Sequence, residues 1–259
     1  MEVKTENVNE NDSWDDHWER FSESAELGPT PRYRRKLIGS VFDFPPPGEA
    51  VRFLEIGSGT GEFAAEFAQS YPKAKYLGLE LSRTGVEISR KRIPTAEFVQ
   101  RDLLKPIPPG QTATFGATYA LCSEVLEHLD APSVLMRNAS AYCAPGCRLI
   151  VTVPGGPMNA FYKHIGHRRH YAPGEMAALL ESSGFQVEDA FGAGFPFYNL
   201  FRLLVTARGP QFINDVSGPP SIAVRWGSTV FETLFKLNSK RSGWQTIVIA
   251  RYMPQLSAA

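Results

Sequence analysis

Val51-Arg52-Phe53-Leu54-Glu55-Ile56-Gly57-Ser58-Gly59-Thr60-Gly61-Glu62 is the stretch that decides the fold. A compact apolar run, VRFLEI (51–56), enters three glycines at alternate positions. GEFAAEFAQSY then places Phe63 and Phe67 at the i, i+4 spacing of one buried helical face. A strand that breaks at glycines and resumes as a helix opens an alternating β–α chain. Outward from it the alternation recurs. AKYLGLE ends in Glu80, SRTGVEISRKR reads as a helix capped by Ser82, and AEFVQRD reads as a strand. FGATYALCSE is a strand followed by a helix over 131–142, and CRLIVTVP is another strand. Pro173 opens a helix that Gly184 stops; FQVEDA and WQTIVIARYM supply the last strands. The pattern predicts an α/β, doubly wound, mostly parallel seven-stranded sheet.

The flanks read differently. Residues 1–13 are polar and predict a disordered tail. Residues 14–48 predict an N-terminal helical cap, with Trp14, Trp18 and Phe21 in one helix and Tyr33, Leu37, Ile38 and Val41 in a second. Pro45-Pro46-Pro47-Gly48 marks a hinge into the main unit, expected over 49–194 and 244–259. Between them, 195–243 breaks the alternation with two apolar helical stretches and a Gly/Pro loop, longer than a simple connection. This segment reads as a helical substrate-binding cap, rich in aromatics such as Tyr198, Phe201, Phe212, Trp226, Phe231 and Phe235.

Composition bounds the chemistry. The chain has 259 residues, 43% of them apolar, enough for one large domain or a domain with a lid. Its 27 basic side chains balance 27 acidic ones, which removes the general attraction to phosphate backbones and argues against nucleic acid. Three cysteines, Cys122, Cys143 and Cys147, suit a reducing compartment, and no apolar run reaches a membrane-spanning length. A cytoplasmic protein is expected, as monomer or homodimer; the apolar cap also fits a dimer interface or peripheral membrane contact.

The glycine loop limits the ligand. A dinucleotide fingerprint needs glycine where Glu62 stands, and a carboxylate at that helix start would repel a pyrophosphate. Glu55, two residues before the first glycine, suits a cationic ligand without phosphates. S-adenosylmethionine, with its sulfonium and ammonium, fits such a pocket better than NAD.

With its later motifs in order, the segment resembles motif I of the class I S-adenosylmethionine-dependent methyltransferases, over roughly residues 50–192 and the final strand. It is similar to small-molecule members such as the ubiquinone-biosynthesis enzymes, and the resemblance implies a Rossmann-like domain. It further implies that Gly57, Ser58, Gly59 and Gly61 cradle the cofactor. Glu80 would hold both ribose hydroxyls and Asp102 the adenine amino group, with Leu81, the Leu103 amide and Cys122 lining the site. Aromatic residues of the N-terminal helices, Tyr33 above all, are expected near the methionine end, where a cation–π contact is available.

Glu124, Glu127 and His128 in SEVLEH lie beside the transferred methyl in that family; on a helical turn their i, i+3 and i, i+4 spacing would put them on one face, and KHIGHRRHY adds His164, His167 and His170. Three readings stand: a structural turn; a general base, His128 or His167, taking a substrate proton; or a divalent-metal site. The last would use Glu124, Glu127, His128 and either His167 or His170, and resembles metal sites of ubiquinone-pathway and small-RNA methyltransferases. No metal is expected. Arg168 and Arg169 could pair with a substrate carboxylate or phosphate, or simply be solvated. The expected activity is methylation of a small apolar or aromatic acceptor, on oxygen with a histidine base. Carbon or nitrogen methylation, a nicotinamide oxidoreductase and a non-catalytic binding module are the alternatives.

Overall fold

The structure, a computed structural model, describes residues 14–44, 46, 49–107, 115–209 and 222–254. The expected tail 1–13, the Phe212 segment and the side chains of Phe21 and Trp226 lie outside the described residues. Two helices, α1 (Trp14–Leu27) and α2 (Pro29–Val41), precede the sheet. Then come β1 (Arg52–Ile56), α3 (Glu62–Ser70), β2 (Lys75–Glu80), α4 (Arg83–Arg92), β3 (Glu97–Gln100) and β4 (Ala117–Ser123). A 3-10 turn (Leu126–His128) leads to α5 (Pro132–Ser140), β5 (Cys143–Pro154), α6 (Ala160–His164), α7 (Pro173–Glu181) and β6 (Phe185–Ala193). Helices α8 (Phe197–Arg208) and α9 (Ile222–Phe235) stand before β7 (Gln245–Tyr252).

The seven strands run in the order β3-β2-β1-β4-β5-β7-β6, with β7 antiparallel to both neighbours and the other pairs parallel. Successive strands step one way from β1 to β3 and the other way from β4, so the strand order reverses between β1 and β4. A crevice opens at the carboxyl ends of the strands at such a switch point. The glycine loop after β1 and the Ser123–Glu124 turn after β4 meet there.

Helices cover both faces, which is why the strands read as near-continuous apolar runs. Side-chain alternation divides the core. Leu54, Ile56, Leu79, Cys122 and Val151 pack with Met136 and Met176 on one face, while Phe53, Leu121, Ile150 and Ile249 pack with Leu37, Ile38 and Phe67 on the other. Glu55 shares the second face with Phe53, so this carboxyl is built into a hydrophobic layer. All three cysteines are free and buried.

Local chemistry accounts for the boundaries. The Ser82 hydroxyl accepts from Gly85 N at 3.0 Å and caps α4 as expected. Gly184, at φ +91°, ends the turn after α7. Strand β5 begins four residues earlier than the apolar run suggested, because Cys143 pairs with Ala117 before a register shift. Strand β6 runs to Ala193 because its antiparallel ladder with β7 continues to Gln245. Helix α8 is capped from afar: Asn238 Oδ1 accepts from Phe197 N at 2.8 Å. No helix among the described residues is long and apolar enough to cross a membrane.

Candidate active site

The loop after β1 is a tight backbone bend. Gly57, Gly59 and Gly61 have φ of +72°, +54° and +83°, the left-handed region that side chains with a Cβ disfavour. Space also requires glycine at the first two. A Cβ on Gly57 would sit 2.3 Å from Val125 Cγ2, and one on Gly59 would lie 2.9 Å from the Trp18 ring. Gly57 N and Ser58 N donate to Leu79 O at 2.8 and 3.2 Å, which ties the loop to the end of β2.

Glu80, the last residue of β2, completes this corner. Gly59 N donates to its Oε2 at 2.8 Å and Ser82 N to its Oε1 at 2.9 Å. Burial pushes the Glu80 carboxyl above its ordinary range, while these two amides favour the ionised form. The Leu81 amide and the Trp18 indole favour the ionised form as well. Asp102 turns into its own loop, accepting from Leu104 N at 2.9 Å with Lys105 at 3.2 Å. Leu103 is buried and Leu81 is exposed.

Glu62 forms an ion pair with Arg92 at 3.4 Å. Its expected repulsion of a pyrophosphate is therefore partly neutralised, and the glycine spacing carries that discrimination. Glu55 accepts from the Tyr76 hydroxyl of the neighbouring strand. Burial drives its pKa from 4.5 up to about 8, opposed by the Tyr76 bond and assisted by Glu62 and Glu80. An acid whose folded pKa exceeds its unfolded one contributes stability at low pH and loses it as pH rises through that window. We therefore expect Glu55→Gln to gain stability relative to the wild type by about 1.4 kcal/mol per pH unit between about pH 5 and pH 8. Urea unfolding across that range measures the gap, and a gap independent of pH would show that Glu55 is ionised in the fold.

Helix α1 lies across the corner. Asp15 accepts from the Ser82 hydroxyl and, at 3.0 Å, from Thr84 N. The Trp18 ring packs on Gly59 and Gly85, and Trp14 meets the His128 ring edge-on at 4.9 Å. Tyr33 stands elsewhere: its ring packs on Tyr198 and Phe235 at 5.2 and 5.1 Å, between α2 and α9.

On the far side of the crevice, Glu124 has φ +58°, a strained conformation for a non-glycine residue. Helical geometry begins only at Leu126, so the single helical face expected for Glu124, Glu127 and His128 does not form. Glu124 is drawn instead to Arg34 at 3.3 Å and accepts from Gln245 Nε2 at 2.9 Å. The chain brings Glu127, His128 and His167 together, with one ligand-type atom of each within 4.8 Å of the others. Both carboxylate oxygens of Glu127 are buried without a hydrogen-bond partner, and burial beside Glu124 holds this acid far above its ordinary range.

His128 Nδ1 lies 3.2 Å from Gly166 O. A carbonyl only accepts, so this contact puts a proton on Nδ1 and, in the neutral ring, leaves the lone pair on Nε2. Nε2 is 3.9 Å from Glu127. Burial, with His128 and His170 alongside, pushes the His167 imidazole down to about 2. His167 Nδ1 and His170 Nε2 are 3.1 Å apart. Arg169 is engaged by Glu175 at 3.0 Å.

Sequence reasoning missed Arg34, Gln245 and Arg202. Arg202 is buried under the cap, donating to the Tyr162 hydroxyl at 2.7 Å and to Gly155 O at 2.8 Å. Nothing in a lone arginine of an apolar helix announces that role. For Arg34, the repeated arginines of RYRRK were the only signal.

A strand-order reversal, a glycine bend and a terminal carboxylate together define a nucleoside-binding doubly wound fold. A family model described as "Methyltransferase domain" matches residues 19–190. The chain belongs to this family, the class I S-adenosylmethionine-dependent methyltransferases, whose cofactor is S-adenosylmethionine. Among curated relatives, O-methyltransferase cnsE of Penicillium expansum is 27% identical over 156 residues, 55% of each chain. A trans-aconitate 2-methyltransferase of Afipia carboxidovorans is 31% identical over 98 residues, 38% of this chain and 36% of that one. The chain thus spans about half or less of the length of the curated relatives it matches. The solved structure of the [4+2]-cyclase SpnF superposes with TM-score 0.58 at 18% identity, covering 86% of this chain and 82% of that one. That likeness shows the fold alone, and a cyclase carries it.

Proposed function

We propose that the protein moves the methyl group of S-adenosylmethionine to the oxygen of a small-molecule acceptor, with His128 as the general base. One observation carries this reading: the Glu80 carboxylate ends β2 against the Gly59 amide, next to the glycine loop that leaves the switch point of the sheet. Glu80 would hold the ribose hydroxyls, the Gly57–Gly61 bend would let backbone approach the ligand, and Asp102 with the Leu103 amide would read the adenine. The Trp18 ring on Gly59 means that α1 has to yield as the cofactor enters. Once reseated, α1 would exclude water from the crevice.

When bound, the cofactor supplies a methyl group on a positively charged sulfur. The chain's own tasks are alignment, water exclusion and proton removal. His128 Nε2 is the atom suited to take the acceptor's proton, since Nδ1 is committed to Gly166. His167, held neutral, is a poor base and would orient its neighbours. The relative named for O-methyl transfer supports the choice of oxygen.

Isothermal titration with S-adenosylmethionine and with NADH tests the cofactor assignment. Binding of the former with one site per chain and none of the latter is expected; the reverse would sink the proposal.

A further inference from the structure

A cavity of about 300 Å³ opens between α2 and α9, away from the glycine bend. Its floor is apolar: Leu37 and Phe235 are each only 4% exposed. Its charge is one-sided, with Arg32, Lys36, Lys236 and Lys240 against Glu232 alone. The whole chain balances 27 basic against 27 acidic side chains, so this excess is local. Glu232 is already paired with Arg32 at 2.9 Å. The three lysines make no ion pair among the described residues. The wall also holds two buried polar groups, Tyr33 Oη and Asn238 Nδ2, whose hydrogen-bonding capacity is turned toward each other. Burial raises the Tyr33 phenol to about 12, which keeps it a donor.

Like charges gathered around a concave apolar surface repel one another, whereas a bound anion would turn that repulsion into attraction. We propose that this cavity binds a small amphipathic anion, an organic molecule with one acidic head at the lysines and a compact apolar body on Leu37 and Phe235. The assignment stands whether or not a methyl group is transferred. The cavity also shares a wall with the crevice. Tyr33 packs on Tyr198, whose hydroxyl donates to Gln245 at 2.6 Å, and Gln245 donates to Glu124. An occupant would press on the side chains that hold the Glu124 turn.

Fluorescence titration with 8-anilinonaphthalene-1-sulfonate tests the site. N-phenyl-1-naphthylamine, the same ring body without the acidic head, serves as the neutral probe. In the variant Lys36→Glu/Lys236→Glu, affinity for the sulfonate should fall about 10-fold or more, with the neutral probe little changed. Because both lysines are exposed, the fold should survive, and retained binding of the neutral probe reports that it has. Lys73→Glu/Lys75→Glu makes the same charge change outside the cavity lining and should leave sulfonate binding intact. Unchanged sulfonate affinity in the first variant, an equal loss for both probes, or an equal loss in the second variant would each overturn the proposal.

Discussion

Replacing His128 with alanine is expected to lower kcat on a hydroxyl acceptor about 10²–10⁴-fold while the affinity for S-adenosylmethionine barely changes. The expectation rests on a tautomer. Gly166 O fixes the proton on Nδ1, so the lone pair on Nε2 points into the space shared with Glu127 and His167. A base acts on the acceptor rather than on the cofactor, so loss of turnover without loss of cofactor binding is its signature. Radiolabelled methyl transfer to a panel of phenols, with calorimetry of the same variant, provides both readings. A kcat within about threefold of the wild type would leave His128 a packing residue against Trp14. Repeating the wild-type assay in EDTA separates the base from the divalent-cation reading, which the orphaned Glu127 carboxylate and its histidine neighbours keep specific. Full activity in the chelator ends the metal reading.

Glu80→Gln should weaken S-adenosylmethionine binding about 30- to 1,000-fold, a loss of roughly 2–4 kcal/mol. Two hydroxyls donating to one carboxylate form charge-assisted bonds, and a neutral amide supplies neither the charge nor two acceptor oxygens. Gly59 N and Ser82 N also donate to this carboxylate, so the amide NH₂ would face one of them, donor against donor. That mismatch should lower the unfolding free energy by about 1–3 kcal/mol, seen as a reduced Tm. Calorimetry with S-adenosylhomocysteine measures the binding arm on protein shown by circular dichroism to be folded. Affinity within about threefold of the wild type would remove Glu80 from the cofactor site.

Much of this architecture is written locally. The glycines at 57, 59 and 61 demand a left-handed bend, and the alternation of apolar runs with amphipathic segments demands a covered parallel sheet. Ser82 caps its helix through a bond three residues long in sequence, so it too could be read directly. Glu80 was legible as the acid that closes a strand, and the family resemblance supplied its expected role in the site. The helical face proposed for Glu124, Glu127 and His128 failed for a long-range reason. Arg34, 90 positions upstream, and Gln245, 121 positions downstream, hold Glu124 in a conformation no local propensity predicts.

Tyr33 shows the same limit. Its sequence neighbourhood places it on a helix before the sheet, but only the packing of α9 decides that it faces Tyr198 and Phe235. The charged cavity is likewise assembled from α2 and from residues some 200 positions later, four cations that look like ordinary solvated side chains in the linear order. The sequence alone determined the sheet, the glycine bend and the residue that terminates β2, because each follows from backbone stereochemistry and apolar periodicity over a few residues. Tertiary structure alone decided which histidine has an oriented lone pair, where the acids of SEVLEH point and where positive charge collects. Those depend on hydrogen bonds and close packing between segments that the chain order keeps far apart.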